Sequence, residues 1–329
     1  MPVPEVDGRP HLVVDGAPRA GTVATLSHWP STPTPVALRA DLSAESARRA
    51  LVDPQALPEG VGVVTIDHYD VDGVVALAML CVEGLATDFG DLLVEAARIG
   101  DFGVVRRQDA ATVAFALEAL GRLGHGAARL GADVALSPRA TLAESVHAAL
   151  AMLPALCNAP GELRWLWQDE ASAFDASSRA LRDGAVDVDD HPDVDVAVVR
   201  ADLAILDPDA CWADEPVHRA ALHSATDRLR VVSAFGPHLA VRFRYETWVR
   251  MSTRPPLLRV DLTPLAVELS ELEPGPATWI FDGAAALTPA LRPAHGAPSG
   301  IEAGRFIDLV LTRLAQLDAG TAAWDPYAS

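Results

Sequence analysis

The chain has 329 residues, half of them hydrophobic, and a formal net charge of −19. That length suits two domains with a sizeable core, and an acidic balance spread along the chain argues against binding to long nucleic acid, which needs basic surface. All 26 basic residues are arginine, which excludes Schiff-base chemistry, a P-loop lysine and a kinase-type strand lysine.

No uncharged apolar run is long enough for a membrane span. The N-terminal Met-Pro-Val-Pro-Glu-Val-Asp has neither the basic region nor the apolar core of a signal peptide. Three scattered cysteines, Cys81, Cys157 and Cys211, fit a reducing compartment and no thiolate metal site. A cytoplasmic location is expected.

In chain order, Leu12–Val14 followed by Asp15-Gly16 predicts a short strand and turn. Thr22–Leu26 predicts a second strand, ending at Ser27-His28-Trp29-Pro30. His28 then stands in a polar-aromatic loop, either reaching a catalytic site further on or serving as a surface or packing residue. Asp41-Leu-Ser-Ala-Glu45 opens a helix capped by Asp41 or Ser43, with Ala44, Ala47 and Leu51 at helical spacing.

The richest stretch follows. Val61–Ile66 is apolar and β-branched, Asp67, His68, Asp70 and Asp72 crowd the next positions, and Gly73 precedes an apolar run to Val82. This reads as buried strand, polar loop and helix start. In an extended segment His68, Asp70 and Asp72 share one side. Two carboxylates and an imidazole aimed at one point suit Mn²⁺, Mg²⁺ or Zn²⁺. Gly73 leaves room for a phosphate at the helix amides. Alternatively, Asp72 caps the helix and His68 is a core histidine.

The pattern His68-x-Asp70-x-Asp72-Gly73 after a hydrophobic strand resembles the first motif of the DHH phosphoesterases, over about 25 residues. The resemblance implies a metal pair, manganese foremost, and a water activated by metal that attacks phosphorus in a small phosphodiester or pyrophosphate. It also implies a further aspartate ligand from a second strand. Asp101, flanked by Gly100 and Gly103 in an expected loop after a helix over 91–99, is the candidate, with a structural loop role as the alternative. Arg106 and Arg107 are candidates to hold phosphate, or else pair with nearby acids.

Helices are expected over 110–123, 140–153 and 162–182, with His125 and His147 non-catalytic. The family's Asp-His-His triad is not matched: Asp190-His191 runs into Pro192 and reads as an acidic surface turn. From about residue 186 short strands (194–201, 229–234, 239–245, 257–262, 278–281) alternate with helices (217–227, 264–272, 302–317). That predicts a mostly antiparallel α+β part, similar to the smaller C-terminal domain of DHH enzymes. Their Gly-Gly-Gly-His signature has only a faint echo at His295–Gly300, where His295 or Ser299 could touch substrate. Arg242 and Arg244 share a strand face, solvated or anion-binding. The long layout is also similar to an uncharacterised bacterial family, which implies no activity.

The expected fold is therefore α/β: an N-terminal parallel-type sheet with flanking helices over 1–185 and a smaller α+β part over 186–329. Two functions stay open. One is metal-dependent hydrolysis of a small phosphorylated substrate. The other is a non-catalytic metal- or phosphate-binding or structural relative that lost the triad. Acids from other strand ends converging on Asp70 and Asp72 would favour the first. Those aspartates facing only helix amides or water would favour the second.

Overall fold

Runs of β-branched residues form the first sheet in the computed structural model, which describes Val6 and residues 8–124, 141–202, 216–317 and 323–328. Strands β1 (His11–Val14), β2 (Thr22–Leu26) and β3 (Val64–Thr65) pair in the order β2-β1-β3, both pairings parallel. Parallel pairing puts all three carboxyl ends on one edge, where open α/β sheets hold ligands. Asp15, Ser27-His28 and Ile66-Asp67-His68 follow those ends. β3 is shorter than the expected run over 61–66 and only Val64 and Thr65 join the ladder.

Helices α1 (Ser43–Val52), α2 (Val71–Cys81), α3 (Leu85–Phe102), α4 (Gln108–Gly124), α5 (Leu142–Asn158) and α6 (Arg164–Arg182) complete this part of the chain. Apart from Asp72 in its first turn, helix α2 is apolar all round, and Val71 through Met79 are buried, as expected for a helix covered on every side. Helix α3 runs between Gly84 and Gly103, both left-handed, with Gly103 ending it as an αL cap. It extends beyond the span expected and absorbs Asp101 into its last turn, so Asp101 is helical and not in a loop. A Cβ on Gly100 would lie 2.4 Å from Val71 Cβ. Helices α2 and α3 therefore need glycine at that crossing.

The chain clusters into two units. One is Met1–Ser172 with Met251–Arg254; the other is Ala173–Arg250 with Pro255–Ser329. The first cut falls inside α6, short of the expected boundary at 185.

The second unit is built on a six-stranded sheet. Strands β4 (Val186–His191), β5 (Val196–Ala201), β6 (Arg230–Phe235), β7 (His238–Phe243), β8 (Trp279–Phe281) and β9 (Ala290–Pro293) follow the order β4-β5-β6-β7-β9-β8. All pairings are antiparallel except β5–β6. Helices α7 (Arg219–Ala225), α8 (Thr263–Leu272) and α9 (Ala303–Leu317) accompany it. Val232, Val241, Leu269, Phe306 and Val310 lie in one buried core. The molecule is thus a mixed α/β protein with a parallel N-terminal sheet and an α+β C-terminal part.

Several local expectations need correction. Asp190-His191 is the end of strand β4, not a turn. The run over 257–262 contributes only a single bridge, Arg259 to Trp324. Arg244 is buried, donating to Glu246 and to the Thr226 carbonyl, so it is not on a solvated face. Ser299 donates to Glu273, and His295 is exposed in a left-handed turn. His125 and Cys211 lie outside the described residues. Among the described residues no helix is long and apolar enough to cross a membrane.

Candidate metal centre

Asp15 leaves β1 in the left-handed region, φ 44°, a conformation aspartate tolerates better than most side chains. Its carboxylate is fully buried. Oδ1 accepts from Ser43 Oγ at 2.8 Å and lies 3.5 Å from His28 Nε2. Oδ2 accepts no hydrogen bond and lies 3.4 Å from His68 Nε2. A buried carboxylate oxygen left without a donor is costly unless a cation meets it.

Two groups of donors share this aspartate. Asp15, His28 and Asp72 form a buried cluster; Asp15, His68 and Asp70 form a half-buried one. Either could hold a metal ion. Metal–ligand bonds of about 2.1 Å set neighbouring ligand atoms about 3.0 to 3.4 Å apart. The 3.4 and 3.5 Å separations around Asp15 lie at and just past the long end of that range, and beyond normal hydrogen bonds. His68 Nε2 is also 3.4 Å from Asp70 Oδ2, and His28 Nε2 is 3.4 Å from Asp101 Oδ2.

Both imidazoles are oriented through Nδ1. His28 Nδ1 donates to the Asp41 carbonyl at 2.5 Å. His68 Nδ1 donates to Asp67 Oδ1 at 2.8 Å. A carbonyl or carboxylate only accepts, so the proton sits on Nδ1 and Nε2 is turned to the acids, the arrangement that orients histidine ligands to metals.

Two helix N-termini offset the negative charge. Asp70 caps α2, accepting from Gly73 N at 2.8 Å. Asp72 caps a different helix: its oxygens accept from Ser43 N at 2.7 Å and Ala44 N at 2.8 Å, the first amides of α1. Positive helix ends favour carboxylates there. Asp70 has an extended backbone while Asp72 lies in the first turn of α2. The expected i, i+2 alignment on one extended face therefore does not occur. The two acids meet through Asp15 instead, one in each cluster.

Burial is the leading influence on both acids. It pushes Asp70 up to about 6, helped by the charge of Asp15 and opposed by His68. It pushes Asp72 up to about 6 as well, with His28 and the α1 amides opposing. For His68 burial works against the charged form, yet the Asp15, Asp67 and Asp70 carboxylates raise it to about 12. Imidazolium at His68 is then the counter-ion of the metal-free site, and cation binding must displace that proton.

Comparison with known proteins gives one result: a family model, described as a family of unknown function (DUF6687), matches residues 1–302. The chain belongs to this family. No curated protein and no solved structure matches it.

In this DUF6687 member, the structure brings together His28, His68, Asp70, Asp72 and Asp101 of the residues singled out in the sequence. Gly73 is packed tightly: a Cβ there would lie 2.5 Å from Ile66 Cδ1 and 2.9 Å from Asp70 Oδ1. Its amide is already given to Asp70. Arg106 and Arg107 are exposed and pair with Glu95 at 3.8 Å and Asp109 at 2.6 Å. In the sequence Asp15, shared by both clusters, reads only as a turn residue, Asp41 as a helix cap and Asp67 as one of the crowded acids; the parts of Asp41 and Asp67 in setting the histidines do not show there. The available signal was that Leu12-Val-Val-Asp15-Gly16 repeats the strand-then-Asp-Gly theme.

Proposed function

We propose that this protein is a metal-dependent phosphoesterase acting on a small phosphodiester or pyrophosphate, with two divalent cations, Mn²⁺ foremost, that Asp15 would help to hold. The observation that carries the reading is the shared, buried Asp15, whose two oxygens face two different histidines. Hard carboxylates with imidazoles favour Mn²⁺, Mg²⁺ or Zn²⁺ over softer ions. His28, Asp72 and Asp15 would hold one ion, with Asp101 beside His28; His68, Asp70 and Asp15 would hold the other. A cation pair supplies Lewis acidity and a clamp for a phosphoryl group during in-line displacement by water.

The chain's own residues provide the rest. The Nδ1 bonds to Asp41 and Asp67 keep a proton on Nδ1 of each ring, so Nε2 is the atom offered to a cation. The α1 amides hold Asp72 as a carboxylate. Burial of the His28 side excludes water there, while the side chains of His68 and Asp70 are 36% and 31% exposed and give the substrate its approach. His28 acts as a ligand in this reading, not as an acid or base. Arg106 and Arg107, exposed and paired with Glu95 and Asp109, are assigned no role in this reading.

The reading is tested with metal-stripped protein, Mn²⁺ and a chromogenic phosphodiester alongside pyrophosphate. Uptake with turnover that is lost in Asp72→Asn supports hydrolysis. Uptake without turnover of any small phosphoester supports the non-catalytic alternative, which the absent Asp-His-His triad favours. No uptake and no turnover end the hydrolytic reading and leave a structural or phosphate-binding relative.

A further inference from the structure

Residues 41–44 deliver four groups to the buried cluster. The Asp41 carbonyl takes the His28 Nδ1 proton. The amides of Ser43 and Ala44 bind Asp72, and Ser43 Oγ binds Asp15. Every member of the buried cluster thus leans on one short stretch at the start of α1.

That stretch is itself held from far along the chain. The Asp41 carboxylate accepts from Ser252 N at 2.5 Å, Ser252 Oγ at 2.8 Å and Thr253 N at 3.0 Å, and also from Thr253 Oγ1. Asp41 is buried, while Ser252 and Thr253 are exposed. Met251–Arg254 clusters with the first unit although the chain on both sides of it belongs to the second. The half-buried cluster differs. His68 is oriented by its sequence neighbour Asp67, and Asp70 caps its own helix.

We propose that Ser252 and Thr253 are positioning residues for the buried cation position. Docking of this distant segment on Asp41 sets the tautomer of His28 and the aim of Asp72 at one position, leaving the other, apart from the shared Asp15, to local contacts. The inference rests on the proposed metal pair for its effect on uptake, and on geometry alone for its effect on His28. Outer-shell partners of this kind typically change metal affinity about 10- to 100-fold. Loading of the two positions would then be separable, with the buried one conditional on a remote part of the chain.

The test compares wild type, S252A/T253A, and S252T/T253S as the hydroxyl-conserving control. D41A, which keeps the carbonyl but loses the carboxylate, is a fourth protein. Nitrogen-15 spectra of the metal-free proteins report the His28 tautomer, and Mn²⁺ titration calorimetry reports each uptake step. The expected result is His28 as Nδ1–H in wild type and in S252T/T253S, and a mixed tautomer in S252A/T253A and D41A. One uptake step weakens about 10-fold or more in those two variants while the other stays within about twofold. The exposed pair keeps the test valid should D41A fail to fold. An unchanged His28 spectrum in S252A/T253A overturns the proposal. So does a changed spectrum with unchanged uptake in a protein that binds Mn²⁺. A wild type that takes up no Mn²⁺ contradicts the proposed function instead, and the tautomer result still decides the positioning role.

Discussion

Asp15 and His28 are both completely buried in their side chains, with Oδ1 held 3.5 Å from Nε2. That gap is too long for a normal hydrogen bond and short enough for two ligands of one ion. Asp15→Asn separates the explanations. If Asp15 serves a cation, the substitution removes a buried charge, leaves metal-free stability unchanged or raised, and weakens Mn²⁺ uptake at both positions by at least about 100-fold, beyond the outer-shell range. If it only anchors Ser43, thermal denaturation of the metal-free protein shows a clear loss of stability instead.

Asp67 gives a second prediction. It touches no cluster donor except His68, through Nδ1. Asp67→Ala is expected to weaken one Mn²⁺ step about 10- to 100-fold and spare the other. Calorimetry on the single variant checks it. Equal weakening of both steps would mean that the two clusters are not separately oriented.

The raised acids set a pH dependence. Asp70 and Asp72 ionise near 6 in the fold, against 3.8 ordinarily. Between those values the folded protein binds more protons than the unfolded chain, so stability falls as pH rises. His68, raised to about 12 from 6.5, adds stability below 6.5 that is lost as pH climbs toward 12, in the same direction. The metal-free protein should therefore melt higher at pH 5 than at pH 8. Mn²⁺ should stabilise it more at pH 8, where the carboxylates are free of protons. Melting curves at both pH values, with and without Mn²⁺, test the pair of signs.

Packing around the loop yields a fourth. The Tyr69 hydroxyl donates to the Leu117 carbonyl at 2.8 Å, and a Cβ on Gly121 would lie 2.6 Å from the Tyr69 ring. Gly121→Ala should cost about 1–3 kcal/mol by overpacking. Because Tyr69 stands between His68 and Asp70, weaker Mn²⁺ uptake should accompany it. Chemical denaturation and titration of the same variant measure both.

Much of the site could be read from residues 61–73, because a β-branched run, clustered acids and a glycine before an apolar helix are all local features. Asp15 could not. An Asp-Gly after an apolar strand reads as a turn, and its role arises only when β1 pairs in parallel between β2 and β3. Nor does a spacing rule connect His28, after β2, with Asp101, in the last turn of α3, which meet at 3.4 Å. Asp72 shows a local pattern meeting a tertiary demand: in sequence it reads as a ligand or as a cap of its own helix, and in the fold it caps the neighbouring one. Strand β4 escaped notice because Val186-Asp-Val-Asp-Asp-His191 is an edge strand with acids on its exposed positions, a device that also discourages edge-to-edge association.

Metal-dependent function requires that the acids around Asp15 collect cations. Calorimetric titration of metal-stripped wild-type protein with Mn²⁺ at pH 8 tests this most directly. Two ions per chain, reduced to none by Asp15→Asn, is the predicted result. A flat titration of the folded wild type, or an isotherm that Asp15→Asn leaves unchanged, would contradict it.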